Sequence, residues 1–167
     1  MSDRTANMLG ALGLMISDQI EVVARLVLKH VGETPAAVVV IGYGLGPSNN
    51  RLRDILGLSH PGTVRVVDRL VEDGLVERRK GKDARAIALY LTEDGIALRE
   101  NLLHHRLVSI KTLLEPLALS EQQTLDALLH KMLSGLEMDD VEKCRSCRLC
   151  DRQICINCPI PADFTKV

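Results

Sequence analysis

The fold is decided by residues 59–95, which read SHPGTVRVVDRLVEDGLVERRKGKDARAIALYLTEDG. Ser59 with Pro61 is typical of a helix start and Gly74 of a helix end, so a helix is predicted over residues 59–73. After Gly74 the pattern changes to two short segments, 75–78 and 86–91, that predict strands. The polar residues 79–85 between them predict the tip of a β-hairpin.

The residues before this stretch add a second short helix. Ser48 is a good helix cap and Gly57 a good helix stop, so a helix is predicted over residues 49–56. Two short helices joined by a glycine-containing turn form a helix-turn-helix, and a hairpin after them is a wing. The sequence therefore predicts a winged helix-turn-helix.

Longer helices flank this unit on both sides. Apolar residues at steps of three and four predict a helix over residues 8–31 that stops at Gly32, and Pro35 begins another that runs to the glycines at 42–46. Thr92 opens a long helix that ends before Pro116, and the pair Ser120 and Gln123 predicts a capping box for the last helix. The predicted fold is mainly α with a small β-hairpin wing.

Positive charge is concentrated in the middle of the chain. The whole chain has a net charge of −1, but residues 51–91 hold nine lysines and arginines against six acids, and residues 78–85 hold five against one. This distribution indicates a local phosphate-binding surface on an otherwise acidic protein. Aromatic residues make up only 2% of the chain, which argues against single-strand binding by stacked aromatics.

The predicted helix over residues 59–73 has two different faces. Thr63, Val66, Val67 and Leu70 share the face that we expect to be buried. The opposite face carries Pro61, Arg65, Asp68, Arg69 and Glu72. An outward arginine on such a helix can contact guanine edges or phosphates, although arginine–acid pairs on a solvated face are the alternative.

The ordered motifs of this region resemble the MarR family. They are Leu56-Gly57-Leu58-Ser59, Arg65 with Val67-Asp68-Arg69-Leu70, Asp73-Gly74-Leu75-Val76-Glu77-Arg78, Asp83-Ala84-Arg85-Ala86 and Leu91-Thr92-Glu93-Asp94-Gly95. The resemblance covers roughly residues 10–137 and is specific over residues 52–95. It implies a sequence-specific transcriptional regulator, expected to be a repressor, that binds double-stranded DNA and responds to a small ligand, a metal or a redox signal.

The resemblance also implies roles for particular residues. The helix over 59–73 would enter the major groove, Arg85 would probe the minor groove, and Asp83 would brace the wing. The expected DNA-binding residues are Ser59, Arg65, Arg69, Arg78, Arg79, Lys80, Lys82 and Arg85. Residues 1–137 would form the winged-helix domain, with residues 34–95 as its DNA-binding part.

Helices at both chain ends are expected to form the dimer interface. Residues 8–31 and 96–136 carry more apolar side chains than a DNA-binding unit of roughly 60 residues could cover. We therefore expect a homodimer with two-fold symmetry.

All five cysteines lie in a tail that we assign to residues 138–167. Their spacing is C-x2-C-x2-C-x4-C-x2-C, and two C-x2-C pairs suit four-thiolate binding of zinc. Cys147, Cys150, Cys155 and Cys158 are the expected ligands, with Cys144 as an alternative. The run is also similar to that of bacterial ferredoxins, although its last spacing differs, so an iron–sulfur cluster stays open, as do metal-free thiols.

Other functions follow less well from the sequence. A redox or electron-transfer module centred on the cysteine tail is the main alternative. The histidines show no zinc-protease spacing and there is no nucleophile motif, so we expect no enzyme activity. The sequence has no apolar run long enough for a membrane span, and cysteines confined to the tail favour a cytoplasmic location.

Overall fold

The computed structural model describes residues 2–28, 30, 32–81 and 87–165. These residues form seven α-helices, one β-hairpin and the segments that connect them. The helices are α1 (Asp3–Val27), α2 (Thr34–Ile41), α3 (Asn49–Leu56), α4 (His60–Glu72), α5 (Glu93–Lys111), α6 (Leu119–Ser134) and α7 (Asp140–Ser146), and a 3-10 turn (Thr112–Leu114) follows α5. The antiparallel strands are β1 (Val76–Lys80) and β2 (Ile87–Leu91). The predicted order of a helix-turn-helix followed by a wing is confirmed.

Side-chain caps explain where the central helices begin. The hydroxyl of Ser48 accepts from the N–H of Arg51 at 3.2 Å, and that of Ser59 accepts from the N–H of Gly62 at 3.2 Å. Each bond satisfies a backbone donor that the first helical turn leaves unpaired. Gly57 ends α3 with φ 67°, a left-handed conformation that glycine adopts without strain. The turn between α3 and α4 is therefore fixed by local sequence.

Some predicted boundaries are wrong. α1 begins at Asp3, where Ser2 caps it, and ends at Val27 because Leu28 turns to an extended conformation and buries its side chain. Arg79 and Lys80 belong to β1, where they pair with Ala88 and Ile87, although we expected them in the hairpin tip.

The last long helix also begins differently from the prediction. Its cap is formed by the carboxylate of Glu121, which accepts from the N–H of Ala118 at 2.8 Å. The predicted pair of Ser120 and Gln123 lies inside α6, in its first and second turns, instead.

The core is built around α2, all eight residues of which are buried. Leu52 and Ile55 of α3, Val67 and Leu70 of α4, and Leu89 of β2 pack into the same apolar cluster. Burial of these aliphatic side chains is the main driving force that holds α3 and α4 against the hairpin. A second cluster joins α1 to α5 through Val23, Ala24, Leu28, Leu102 and Leu103.

The cysteine tail begins with a helix that the sequence analysis did not predict. Asp139 and Glu142 form a reciprocal capping box at the start of α7, with bonds of 2.8 and 2.9 Å. α7 packs against α3 and carries the buried Cys144. The tail contributes Cys144, Cys147, Ile160 and Phe164 to the main core cluster, whereas we expected it to have almost no core of its own. Within the described residues, no helix has the length and apolar character needed to cross a bilayer.

Candidate nucleic-acid interface and candidate metal centre

The outer face of α4 carries two exposed guanidinium groups. Arg65 and Arg69 are both exposed, one helical turn apart, while Thr63, Val67 and Leu70 are fully buried on the other side. The predicted division of this helix into a buried face and an outer face is therefore confirmed. In the part of the chain that the structure describes, neither arginine forms an ion pair, and Ser59 lies exposed at the start of the same helix.

One of the two acids on this face, Asp68, is paired elsewhere. The carboxylate of Asp68 accepts from Arg78 of β1, so it links α4 to the hairpin. Arg79 pairs with Glu77 and lies 4.8 Å from the ring centre of Tyr90, and Lys80 is exposed. Exposed ion pairs contribute little to stability, so these arginines can exchange carboxylates for phosphates at low cost.

The structure places Arg65, Arg69, Arg78, Arg79 and Lys80 on α4 and the hairpin strand that follows it. Three further predicted residues, Lys82, Asp83 and Arg85, lie outside the described residues. Their roles in the wing remain predictions.

Four of the five cysteines come together in the tail. Cys147 interacts with Cys150 and Cys158, and Cys155 with Cys158, closely enough to raise the pKa of Cys147 and of Cys155. We call Cys147, Cys150, Cys155 and Cys158 the thiol cluster. They line a cleft of about 580 Å³ together with Arg152 and Phe164.

The contacts of the thiol cluster shift its acidities in opposite directions. The hydrogen bond from Cys147 lowers the pKa of Cys150 to about 6. The same bond and then burial raise the pKa of Cys147 far above its ordinary value. Cys150 is therefore the more acidic of the two thiols and Cys147 the less acidic.

Backbone groups also contact these sulfurs. The N–H of Ile160 donates to the sulfur of Cys158 at 3.4 Å, and the thiols of Cys158 and Cys147 donate to the Ile160 carbonyl at 3.0 and 3.7 Å. As they stand, no three or more His, Cys, Asp or Glu side chains of residues 2–28, 30, 32–81 and 87–165 are arranged to hold a metal ion. The four thiols thus line one cleft.

Cys144 lies apart from the thiol cluster. Its sulfur accepts from Arg51 of α3 at 3.4 Å and its thiol donates to the carbonyl of Asp163 at 3.4 Å. Burial raises the pKa of Cys144, which keeps it protonated. This cysteine joins the tail to the winged helix.

Sequence reasoning missed the residues that dock the tail. The Tyr43 hydroxyl donates to the carbonyls of Cys147 at 3.0 Å and Cys150 at 3.2 Å, and the rings of Tyr43 and Phe164 lie 4.5 Å apart. Arg51 also donates to the Asp163 carbonyl at 3.0 Å. The scarcity of aromatic residues was a usable signal, because two of the three form this contact.

Comparisons with known proteins bear on the winged helix and leave the tail unaddressed. A MarR family model matches residues 37–86. No curated protein matched the chain.

Solved structures of similar fold cover most of the chain. MepR, a transcription regulator of the Staphylococcus aureus multidrug efflux pump MepA, is 19% identical, with a TM-score of 0.66 over 79% of this chain and 98% of that one. A mutant of S. aureus MepR bound to an oligodeoxyribonucleotide is 21% identical, with a TM-score of 0.60 over 80% and 98%. MarR from E. coli in its apo form is 25% identical, with a TM-score of 0.61 over 75% and 96%. The motifs, the fold and the family model agree: residues 37–86 match the MarR family model, and the described residues have the winged-helix fold of the MarR-type regulators compared above.

Proposed function

We propose that this protein regulates transcription by binding double-stranded DNA as a homodimer, with α4 in the major groove and the hairpin beside it. The observation that carries the proposal is the pair of exposed guanidinium groups of Arg65 and Arg69, which form no ion pair with any described residue and belong to the helix just before the cationic strand β1. The same kind of fold occurs in a MepR mutant that was solved bound to an oligodeoxyribonucleotide.

The charges divide into two kinds of contact. Arg65 lies in the first half of α4, the part of a recognition helix that reaches base edges, so it is proposed to contribute sequence preference. Arg69, Arg78, Arg79 and Lys80 lie further along α4 and on β1, where phosphate contacts would fix the register of the protein on the duplex. Ser59 holds the start of α4 and adds a hydroxyl near the phosphates.

Unpartnered apolar surface supports the homodimer. α6 has no buried residue, yet Leu128, Leu129 and Met132 are large, apolar and exposed on it. On α1, Leu9, Leu12 and Met15 are exposed in the same way. A second copy that covers both helices would place two α4 helices on half-sites about one DNA turn apart.

Repression is the proposed sign of regulation, and a change in the separation of the two α4 helices is the proposed switch. A cleft of about 650 Å³ between α5, α6 and the tail could hold a small-molecule effector. Its lining includes Leu103, Leu129 and Leu133. This role requires no enzyme activity and a cytoplasmic location, where the DNA is.

The experiment is selection of duplexes from a random library by the full chain, followed by titration of the enriched and a scrambled duplex at several salt concentrations. We expect the enriched duplex to bind at least about 1000-fold more tightly, with an affinity that falls steeply as salt rises. Equal affinity for the two duplexes would contradict regulation by sequence-specific binding.

A further inference from the structure

An arginine of the tail covers the turn between α3 and α4. Arg145 of α7 donates from its Nη2 to the carbonyl of Asp54 at 3.0 Å. The same guanidinium lies over Gly57, where a β-carbon would come within 3.4 Å of its Nη2 and 3.5 Å of its Cζ. Gly57 comes two residues before Ser59, the residue that caps α4. Arg145 therefore lies next to the start of the helix that is proposed to enter the major groove.

We propose that Arg145 binds a phosphate of the DNA duplex, so that the cysteine tail forms part of the DNA interface. The inference deepens the proposed function and rests on it, because the new contact lies beside α4. It extends the DNA-binding surface to α7, beyond residues 34–95, which the sequence analysis assigned to DNA binding.

Most of the hydrogen-bonding capacity of Arg145 is unused. Its side chain is exposed, and among the described residues the guanidinium donates one hydrogen bond and forms no ion pair. A guanidinium has several N–H donors in one plane, and two of them can bind a phosphate in parallel. The nearby carboxylate of Asp54 does not compete, because it accepts two hydrogen bonds from Arg53 at 3.0 and 2.7 Å.

The packing of α7 holds this guanidinium in position. α7 packs against α3, and Cys144, the neighbour of Arg145 in the chain, is fully buried and accepts from Arg51 at 3.4 Å. The carbonyl of Asp54 belongs to the last turn of α3, where carbonyls have no partner within the helix, so the bond from Arg145 also completes this helix end. A side chain that is already held in place loses less conformational entropy when it binds a ligand.

The position of Arg145 is continuous with the proposed DNA surface. Two residues span at most about 7 Å, so a phosphate that Arg145 binds above Gly57 lies close to Ser59. The Ser59 hydroxyl accepts from the N–H of Gly62 and can still donate its own proton to a phosphate. Arginines, hydroxyls and helix starts are the groups through which DNA-binding proteins contact phosphates.

The other charges of α7 provide a matched control. The carboxylates of Asp139 and Glu142 accept each other's backbone N–H groups in the capping box, so they are engaged within the helix. Lys143 carries the same charge as Arg145 but comes two positions earlier, which turns it about 200° around the helix axis. Lys143 therefore lies on the other side of α7 from the turn before α4.

The experiment measures how the affinity of the full chain for the enriched and the scrambled duplex depends on salt concentration. Loss of one phosphate contact lowers the slope of log affinity against log salt by about 0.9. We expect this reduction in Arg145→Ala, with about a tenfold loss of affinity on both duplexes alike. Arg145→Lys keeps the charge and should keep the slope. Lys143→Ala should keep the slope and stay within about twofold of the wild-type affinity.

Urea denaturation of the same variants identifies a purely structural role of Arg145. Loss of its bond to Asp54 alone would loosen the turn before α4 and weaken binding without removing an ionic contact. An unchanged salt slope in Arg145→Ala, with or without a loss of stability, therefore overturns the proposal. An equal reduction of the slope in Lys143→Ala overturns it as well, because the effect would then be one of overall charge.

The wild-type protein separates this inference from the proposed function. Equal affinity for the enriched and the scrambled duplex contradicts sequence-specific regulation, and the slope of Arg145→Ala still decides whether this residue contacts phosphate. Selective binding by the wild type with an unchanged slope in Arg145→Ala contradicts the tail contact alone.

Discussion

Arg51 of α3 donates a hydrogen bond at 3.4 Å to the sulfur of Cys144, a residue 93 positions further along the chain. The arginine is only 8% exposed, and it also donates to the carbonyl of Asp163. A buried guanidinium is costly unless its donors are paired. The tail supplies two acceptors to one nitrogen of Arg51, while its Nε is buried without a hydrogen-bond partner among the described residues. The two parts of the chain therefore depend on each other for stability.

Loss of this arginine should destabilise the whole protein. Arg51→Met removes both hydrogen bonds and leaves the Asp163 carbonyl without its charged donor, so we expect the free energy of unfolding to fall by about 2–3 kcal/mol. Urea denaturation measures the change. The matched control is Arg53→Met on the same helix, where the side chain is half-exposed and pairs with its neighbour Asp54. Equal losses in the two variants would show that the bridge to the tail contributes nothing specific.

Arginine variants should separate base contacts from phosphate contacts. Arg65→Ala is expected to cost about 1–3 kcal/mol of binding to the enriched duplex and to reduce sequence preference. Lys80→Ala should weaken binding to all duplexes alike and make the affinity less dependent on salt. Arg25→Ala on α1, an exposed arginine that pairs with Glu21, is the control. Unchanged affinity in the first two variants would exclude α4 and β1 as the interface.

A separate prediction concerns the contribution of the wing to DNA binding. Arg85→Ala should weaken duplex binding strongly, because a guanidinium suits the negative potential of a narrow minor groove. The loss should be larger on duplexes with an A-tract at the flank than on GC-rich ones. Equal losses on both kinds of flank would argue against a minor-groove contact.

A charged substitution on α6 tests whether the protein forms the proposed homodimer. The wild-type protein should have twice the chain mass of 18.4 kDa in light scattering at micromolar concentration. Leu128→Glu should give the monomer mass, since it places a carboxylate in the proposed apolar interface, while the exposed Gln123→Glu on the same helix should not. A wild-type monomer, or a dimer that survives Leu128→Glu, would place the interface elsewhere or remove it.

Cys144 should be chemically inert while the protein is folded. Burial raises its pKa, so the thiolate fraction at pH 8 is smaller than that of an ordinary cysteine, and alkylation requires the thiolate. Iodoacetamide labelling followed by mass spectrometry should modify Cys144 slowly in the native protein and rapidly in urea. Its labelling rate should still rise with pH above the usual cysteine pKa, where the rate of an ordinary thiol has levelled off. Fast native labelling would mean that α7 leaves α3 in solution.

Local chemistry explains what the sequence could predict. Ser48, Ser59 and Gly57 fix helix ends through bonds to residues a few positions away, and the face of α4 follows from helical periodicity. Local sequence did not predict how the tail docks on the rest of the chain. The bonds from Tyr43 to Cys147 and from Arg51 to Cys144 join residues about a hundred positions apart, and no periodic pattern encodes them. The cysteine spacing identified the four thiols but said nothing about the surface on which they lie.

The burial of Phe164 and Ile160 in the main core cluster also sets an order of events during synthesis. Residues 34–95 leave the ribosome long before the last tail residues, so the part of the core cluster that these two side chains cover stays uncovered in the meantime. Residues 34–95 therefore reach their final packing only after the tail has been synthesised and has docked on them. A truncation at residue 137 would make that unfinished state permanent, with the Arg51 guanidinium facing no acceptor from the tail.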